Sequence, residues 1–283
     1  MHLGWTIFLL GCGGDDSERE WLVETLDWDT HATGSGYTFE DPQTTWLAAE
    51  HSLPSLWWSI PASNIPLYLW EDVLSGEDVM DVGSCPYLTL SDDTTTWTAN
   101  CRSQEGYNWS GSVSVKETDD GKWTTQEWAF ELEVSSDREG RLFERVKMEG
   151  QVRYIDGDDA PLARHVQANL HMEAPGYWAG AFKPELDAAW SDMNLTGIWE
   201  ARSIENGESW QMEARVDLGE LGGFSLEGDD FRVVEDCAGE PMGEATLTGA
   251  NKARLEFEGA DACNGCAKLW LDGERAPNAC QDG

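Results

Sequence analysis

At 283 residues, with 40% apolar and 11% aromatic content, the chain is long enough for one large or two small domains with a substantial core. Its 54 acidic residues against 18 basic ones leave a formal net charge of −36, a field that repels phosphates and so excludes nucleic acid as a partner. No apolar run after Leu10 approaches the roughly 20 residues of a membrane-spanning helix, and so acidic a surface fits an extracytoplasmic setting where counterions screen self-repulsion.

The first segment, "MHLGWTIFLLGCGGDDSERE", is apolar from Leu3 to Leu10 and then turns small and acidic. Leu9-Leu10-Gly11-Cys12 resembles the lipobox of a bacterial lipoprotein signal peptide, although Met1-His2 lacks the usual opening Lys or Arg. The resemblance implies cleavage before Cys12 and a lipid on its sulfur, and two or more buried acyl chains make release from a membrane negligible. In such families an Asp after the Cys favours retention at the inner membrane, whereas here that residue is Gly13, which points to the outer membrane. The alternative is a buried N-terminal strand with Cys12 as a core thiol or disulfide partner. The Gly-Gly-Asp-Asp run argues against it, because it has the composition of a tether.

Beyond a tether over 12–36, residues 41–80 have a mixed pattern. In "SNIPLYLWEDVL", Pro66 stands near a helix start, and Leu67, Trp70, Val73 and Leu74 follow at helical spacing. A short helical segment is expected near 64–80.

From Cys85 the period becomes two. Cys85 and Cys101 lie symmetrically about Asp93, with a strand-like segment on each side of a polar turn, which suits a disulfide across a hairpin. Tyr107, Trp109, Gly111, Val113 and Val115 then alternate with polar residues, the signature of a strand with one buried face. The pattern recurs with Trp128, Phe130, Leu132 and Val134, with Val146, Met148, Gly150, Val152 and Tyr154, and with Val166, Ala168, Leu170 and Met172. The connections "ETDDGK", "SSDREG" and "DGDDAP" carry the Asp and Gly of tight turns. These strands are expected to form one antiparallel sheet with one wet face.

The alternation pauses at "EAPGYWAGAFKPELDAAWSDMN" and resumes in "WQMEARVDL", "EATLTGA", "ARLEFEG" and "KLWL". The expected organisation is therefore a signal peptide over 1–11, a tether over 12–36, a β-rich region with a helical insert over 37–183, and a disulfide-rich β region over 184–283 packed on it. The fold class is mainly β, either an antiparallel sandwich of two sheets or one large curled meander.

Without Cys12 the cysteines form an even set in an export context: Cys85, Cys101, Cys237, Cys263, Cys266 and Cys280. Asp272-Gly273 is a strong hairpin signal between Cys266 and Cys280, and pairing those two leaves Cys237 for Cys263. The rival is a four-cysteine zinc site built on Cys263-Asn264-Gly265-Cys266. A zinc ribbon needs two such knuckles, and Cys237 and Cys280 stand alone.

"CPYLTLSDDTTTWTANC", "GYNWSGSVSV" and the tail "CAGEPMGEATLTG…FEGADACNGCAKLWLDGERAPNAC" are similar to predicted outer-membrane lipoproteins of the myxobacterial type. These share a hairpin bounded by Cys-Pro and a Cys-rich tail. The resemblance implies an envelope location and a β-rich fold, and it carries no activity.

No G-x-S-x-G elbow, H-E-x-x-H, P-loop or dinucleotide fingerprint is present. No catalytic residue, cofactor or metal site is expected. His2 lies in the signal, His31 in the tether and His51 in a polar segment. His165 and His171 share the polar face of one strand about 20 Å apart, too far to bind one metal together, and both are expected to face solvent. Asp156, Asp158 and Asp159 could offer oxygens to Ca²⁺, but they sit where a hairpin turn is needed and lack the Glu that closes an EF-hand loop. Carboxylate pairs are too common in so acidic a chain to mark a hydrolytic dyad.

The 16 tryptophans raise a carbohydrate-binding role, yet Trp97, Trp109, Trp128 and Trp210 alternate with polar neighbours and so should fill the core. The favoured reading is a non-enzymatic, exported acidic lipoprotein of the bacterial cell envelope. It would be held to a membrane by lipid on Cys12 and present a structural or interaction surface to a protein or glycan partner. The alternative is a carbohydrate-binding or glycan-hydrolysing surface protein.

Overall fold

The structure is a computed structural model and describes residues 35–53, 85–103, 106–121, 123–136, 145–157, 164–173, 192–204, 207–234, 241–259 and 264–280. One helix, α1 (Pro42–Ser52), precedes β1 (Tyr87–Ser91), β2 (Thr94–Arg102), β3 (Tyr107–Asp119), β4 (Trp123–Ser136), β5 (Arg145–Gly157), β6 (Arg164–Glu173) and β7 (Asp192–Ile204). Then follow β8 (Gly207–Asp217), β9 (Gly223–Val234), β10 (Pro241–Thr248), β11 (Lys252–Glu258), β12 (Cys266–Leu271), β13 (Glu274–Arg275) and β14 (Ala279–Cys280). The strands form a single antiparallel sheet in chain order from β1 to β13, with β14 returning to pair with β12. Of the two expected arrangements, this is the meander.

Period-two alternation explains why the sheet has one apolar face. Trp97, Trp109, Val113, Trp128, Phe130, Leu132, Val134, Met148, Val152, Ala168 and Leu170 are all buried, and the register places them side by side on successive strands. The face continues without a break through Leu195, Trp199, Ala214, Val216, Leu226, Leu247, Leu255 and Leu269. The pause in alternation after β6 does not divide the sheet, because β6 and β7 pair from His165↔Glu200 to Glu173↔Asp192. Two glycines in mid-strand let neighbouring strands approach closely. A Cβ on Gly111 (φ +85) would stand 2.0 Å from the Glu131 carbonyl oxygen, and one on Gly150 (φ +120) would stand 2.2 Å from that of Asn169, so only glycine fits these close approaches.

Helix α1 lies against the apolar face and was not expected from the sequence. Its start is nonetheless written there: Asp41 caps Thr44 N through its carboxylate, Thr44 returns the bond to Asp41 N, and Pro42 occupies the first turn. The preceding segment is locked across two turns of the sheet. Tyr37 N donates to Gly223 O at 2.8 Å, Ala250 N to Tyr37 O at 2.8 Å, and the Asn251 amide clamps Phe39 at both its N–H and its carbonyl. At the far end Trp199 Nε1 donates to Ser52 O at 2.8 Å, while Trp46 packs near Phe257 on β11. One helix thus touches both β7 and β11, so the sheet must curl around it. The helix expected near 64–80 lies outside the described residues.

The wet-face expectation needs a correction. Along β6 both faces are buried: Val166, Ala168, Leu170 and Met172 on one side, Gln167, Asn169 and His171 on the other. Ile155 of β5 and Asn194 and Glu200 of β7 extend the buried second face. Alternation reports polarity, and uncharged polar groups tolerate burial when they find partners.

Candidate functional site

Among the described residues, buried polar side chains concentrate on this second face, at the middle of the sheet. Strand register sets the rows. Glu149, His171, Asn194 and Asp217 stand abreast on β5, β6, β7 and β8, and Gln151, Asn169 and Thr196 form the adjacent row. His171 is 5% exposed, which contradicts the expectation that it faces solvent. The reason is its partners: Nδ1 lies 2.8 Å from Asn194 Oδ1, and Nε2 lies 3.6 Å from Glu173 Oε1. For His165 the structure gives strand pairing with Ile155 and Glu200.

With Asn194 Oδ1 as acceptor, the His171 Nδ1 carries a proton and the ring is held with Nε2 toward Glu173. Glu173 also takes Lys147 Nζ at 3.2 Å and Arg145 at 3.5 Å. Burial works to raise the Glu173 carboxyl, but hydrogen bonds and charge from Lys147 and His171 outweigh it and hold the group below its ordinary value. In the next row Thr196 Oγ1 donates to Asn169 Oδ1 at 3.3 Å, while Asn169 Nδ2 and Gln151 Oε1 are buried without a hydrogen-bond partner among the described residues. Asp217 Oδ1 accepts from Gly219 N at 3.1 Å and so orders the 3-10 turn Gly219–Leu221. The row is thus a polar ladder that fixes strand register, since a slip by one residue would put Leu170 and Met172 opposite these groups.

A second feature is a depression of about 500 Å³ between β8, β9 and β10, lined by Met212, Glu213, Glu227, Gly228, Glu244 and Thr246. It lies beside register shifts between Trp210 and Met212 and between Met242 and Glu244. Glu244 is paired with Arg254 at 2.8 Å. Among the described residues no group of three or more His, Cys, Asp or Glu is placed to hold a metal ion.

The tryptophans report on the sugar reading. Trp97, Trp109, Trp128 and Trp210 are 1% to 6% exposed, and Trp46 and Trp199 are buried as well. Trp270, on the outer face of β12, is flanked by Arg254 at 3.8 Å and Arg275 at 5.2 Å from its ring. No groove of several exposed rings is formed among the described residues.

Two of the expected disulfides are present, one at each end of the sheet. Cys85 joins Cys101 with a Cα separation of 5.8 Å, closing the β1–β2 hairpin. Cys266 joins Cys280 at 4.1 Å, where β12 and β14 pair directly. The intervening Asp272-Gly273 turn has positive φ at both residues, as a two-residue hairpin of the primed type requires. Cys12, Cys237 and Cys263 lie outside the described residues, as do Asp158 and Asp159. Asp156 pairs in β5 with Arg164 of β6.

The chain matches no known protein family, no curated protein and no solved structure. The buried ladder of Gln, Asn and His could have been suspected from sequence. The outward positions of β4 carry Glu127, Glu131 and Glu133, whereas β6 carries three successive uncharged groups, Gln167, Asn169 and His171, before Glu173 at its end.

Proposed function

We propose that this protein is an exported, acidic lipoprotein of the bacterial cell envelope, carried at the outer membrane by lipid on Cys12, and that it serves as a non-enzymatic structural or interaction surface. The observation that carries the reading is a disulfide at each end of the sheet, since such bridges persist in oxidising compartments and are rare in the cytosol. The lipobox supplies the anchor and the net charge of −36 keeps the domain soluble and clear of nucleic acid. Its partner is a protein or a glycan. The carbohydrate reading is the weaker one, because the tryptophans it would use are in the core.

The test is fractionation of a lipoprotein-competent host with labelled palmitate. Wild type should carry label and sediment with the outer membrane, and Cys12→Ser should be unlabelled and soluble. Label on the variant, or none on either protein, would refute the anchor.

A further inference from the structure

The two edges of the sheet differ in how they are protected. β13 is two residues long and both are charged, Glu274 and Arg275, the usual means by which an edge is kept from pairing with another chain. β1 has none of these devices. Tyr87-Leu88-Thr89-Leu90-Ser91 is uncharged in a chain where 25% of residues are charged. Tyr87 is 54% exposed and Leu90 71% exposed. Its register with β2 is unbroken, and among the described residues no strand pairs its outer side. The Cys85–Cys101 bridge holds it in place.

We propose that β1 is a docking edge for a second copy of this chain, pairing antiparallel with its counterpart about a twofold axis through Thr89. The strand is self-complementary in that register. Thr89 opposes Thr89, Leu88 opposes Leu90, and Tyr87 opposes Ser91, so apolar Leu88 and Leu90 stay on one face and the polar residues on the other. The register also sets no charge against a like charge. Asp92 and Asp93 at the hairpin tip fall opposite Pro86 and Cys85 of the copy, and Asp93 is already paired with Lys116 at 3.5 Å. With β13 blocked, β1 is the longest unprotected edge among the described residues, and pairing about a twofold closes the assembly at two.

A five-residue edge buries less than the roughly 1,200 Å² of a standard stable interface, so the dimer is weak. Two bodies of charge −36 repel beyond the contact, and salt screens that repulsion. Association should therefore strengthen with ionic strength. This inference stands independently of the envelope reading.

Sedimentation equilibrium of the soluble chain from Gly13 onward, across protein concentration at 0.05 and 0.5 M salt, tests it, with thermal melts as a check on folding. Wild type should approach dimer mass, more readily at high salt. Leu90→Lys should weaken association at least tenfold, and Glu274→Ala should leave it unchanged. Thr89→Cys should give a disulfide-linked dimer on mild oxidation, since opposed residues of an antiparallel pair come within bridging distance, while Ser114→Cys should not. A monomer at every concentration and salt, a dimer indifferent to Leu90→Lys, open-ended aggregates, or no cross-link through residue 89 would each overturn the proposal.

Discussion

Strands β2–β4 and β5–β7 share one apolar face but differ on the other. Outward residues of β3 such as Asn108 and Ser110 are exposed, whereas Gln167, Asn169 and His171 of β6 are exposed by 5% or less. The apolar alternation of the two stretches is equally clean. What separates them is the chemistry of the polar positions: hydroxyls and carboxylates meet water over β3 and β4, while over β6 and β7 His171 pairs with Asn194 and Thr196 with Asn169. Polarity in a strand pattern assigns a side of the sheet, and partners decide whether that side is wet.

The largest effect should come from the face both stretches share. Trp109→Ala removes a ring that is 3% exposed and should destabilise by about 3–5 kcal/mol. Ser110→Ala, one residue along on the exposed side, should stay within about 0.5 kcal/mol. Denaturant midpoints check both, and equal midpoints would mean that β3 is registered one residue out.

The difference between the stretches is tested more sharply on their second faces. Asn194→Ala strips the buried His171 Nδ1 of its acceptor and should cost about 1–3 kcal/mol. Ser112→Ala, in the corresponding outward row of β3, should cost about 0.5 kcal/mol or less. Similar values in urea melts would mean that the β6 ladder is no more buried than the face of β3.

A smaller effect concerns pH. The Glu173 carboxyl is held below its ordinary value of 4.5 by Lys147 and His171, against its burial. A carboxylate with a lowered folded-state pKa contributes stability above its unfolded value and loses it as pH falls through the folded one. Stability should thus decline on acidification below about 4.5, and Glu173→Gln should flatten that part of the profile. A profile unchanged by the substitution would remove Glu173 from the account.

Most of the sheet was legible because its strands obey period two and its turns carry Asp and Gly. Both described disulfides followed from symmetry about Asp93 and about Asp272-Gly273. Helix α1 was not read, although Asp41, Pro42 and Thr44 spell its start, because a helix enclosed by a curled sheet lacks a clear polar stripe: Thr45, Trp46, Ala48, Ala49 and Ser52 are all buried. The buried second face was missed for a different reason. Its cost is met by contacts between strands, such as His171 with Asn194, and a period along one strand holds no information about what stands beside it. The pause after β6 left a sandwich of two sheets and one large meander both open, and hydrogen bonding between β6 and β7 across it makes the meander.

The central claim is an exported sheet stapled at both ends, and peptide mapping of the unreduced protein with elemental analysis for zinc tests it most directly. The account predicts Cys85 linked to Cys101, Cys266 linked to Cys280, Cys237 linked to Cys263, and no bound zinc. Free thiols at Cys237, Cys263, Cys266 and Cys280 with one zinc per chain would contradict both the C-terminal staple and the oxidising compartment inferred from it.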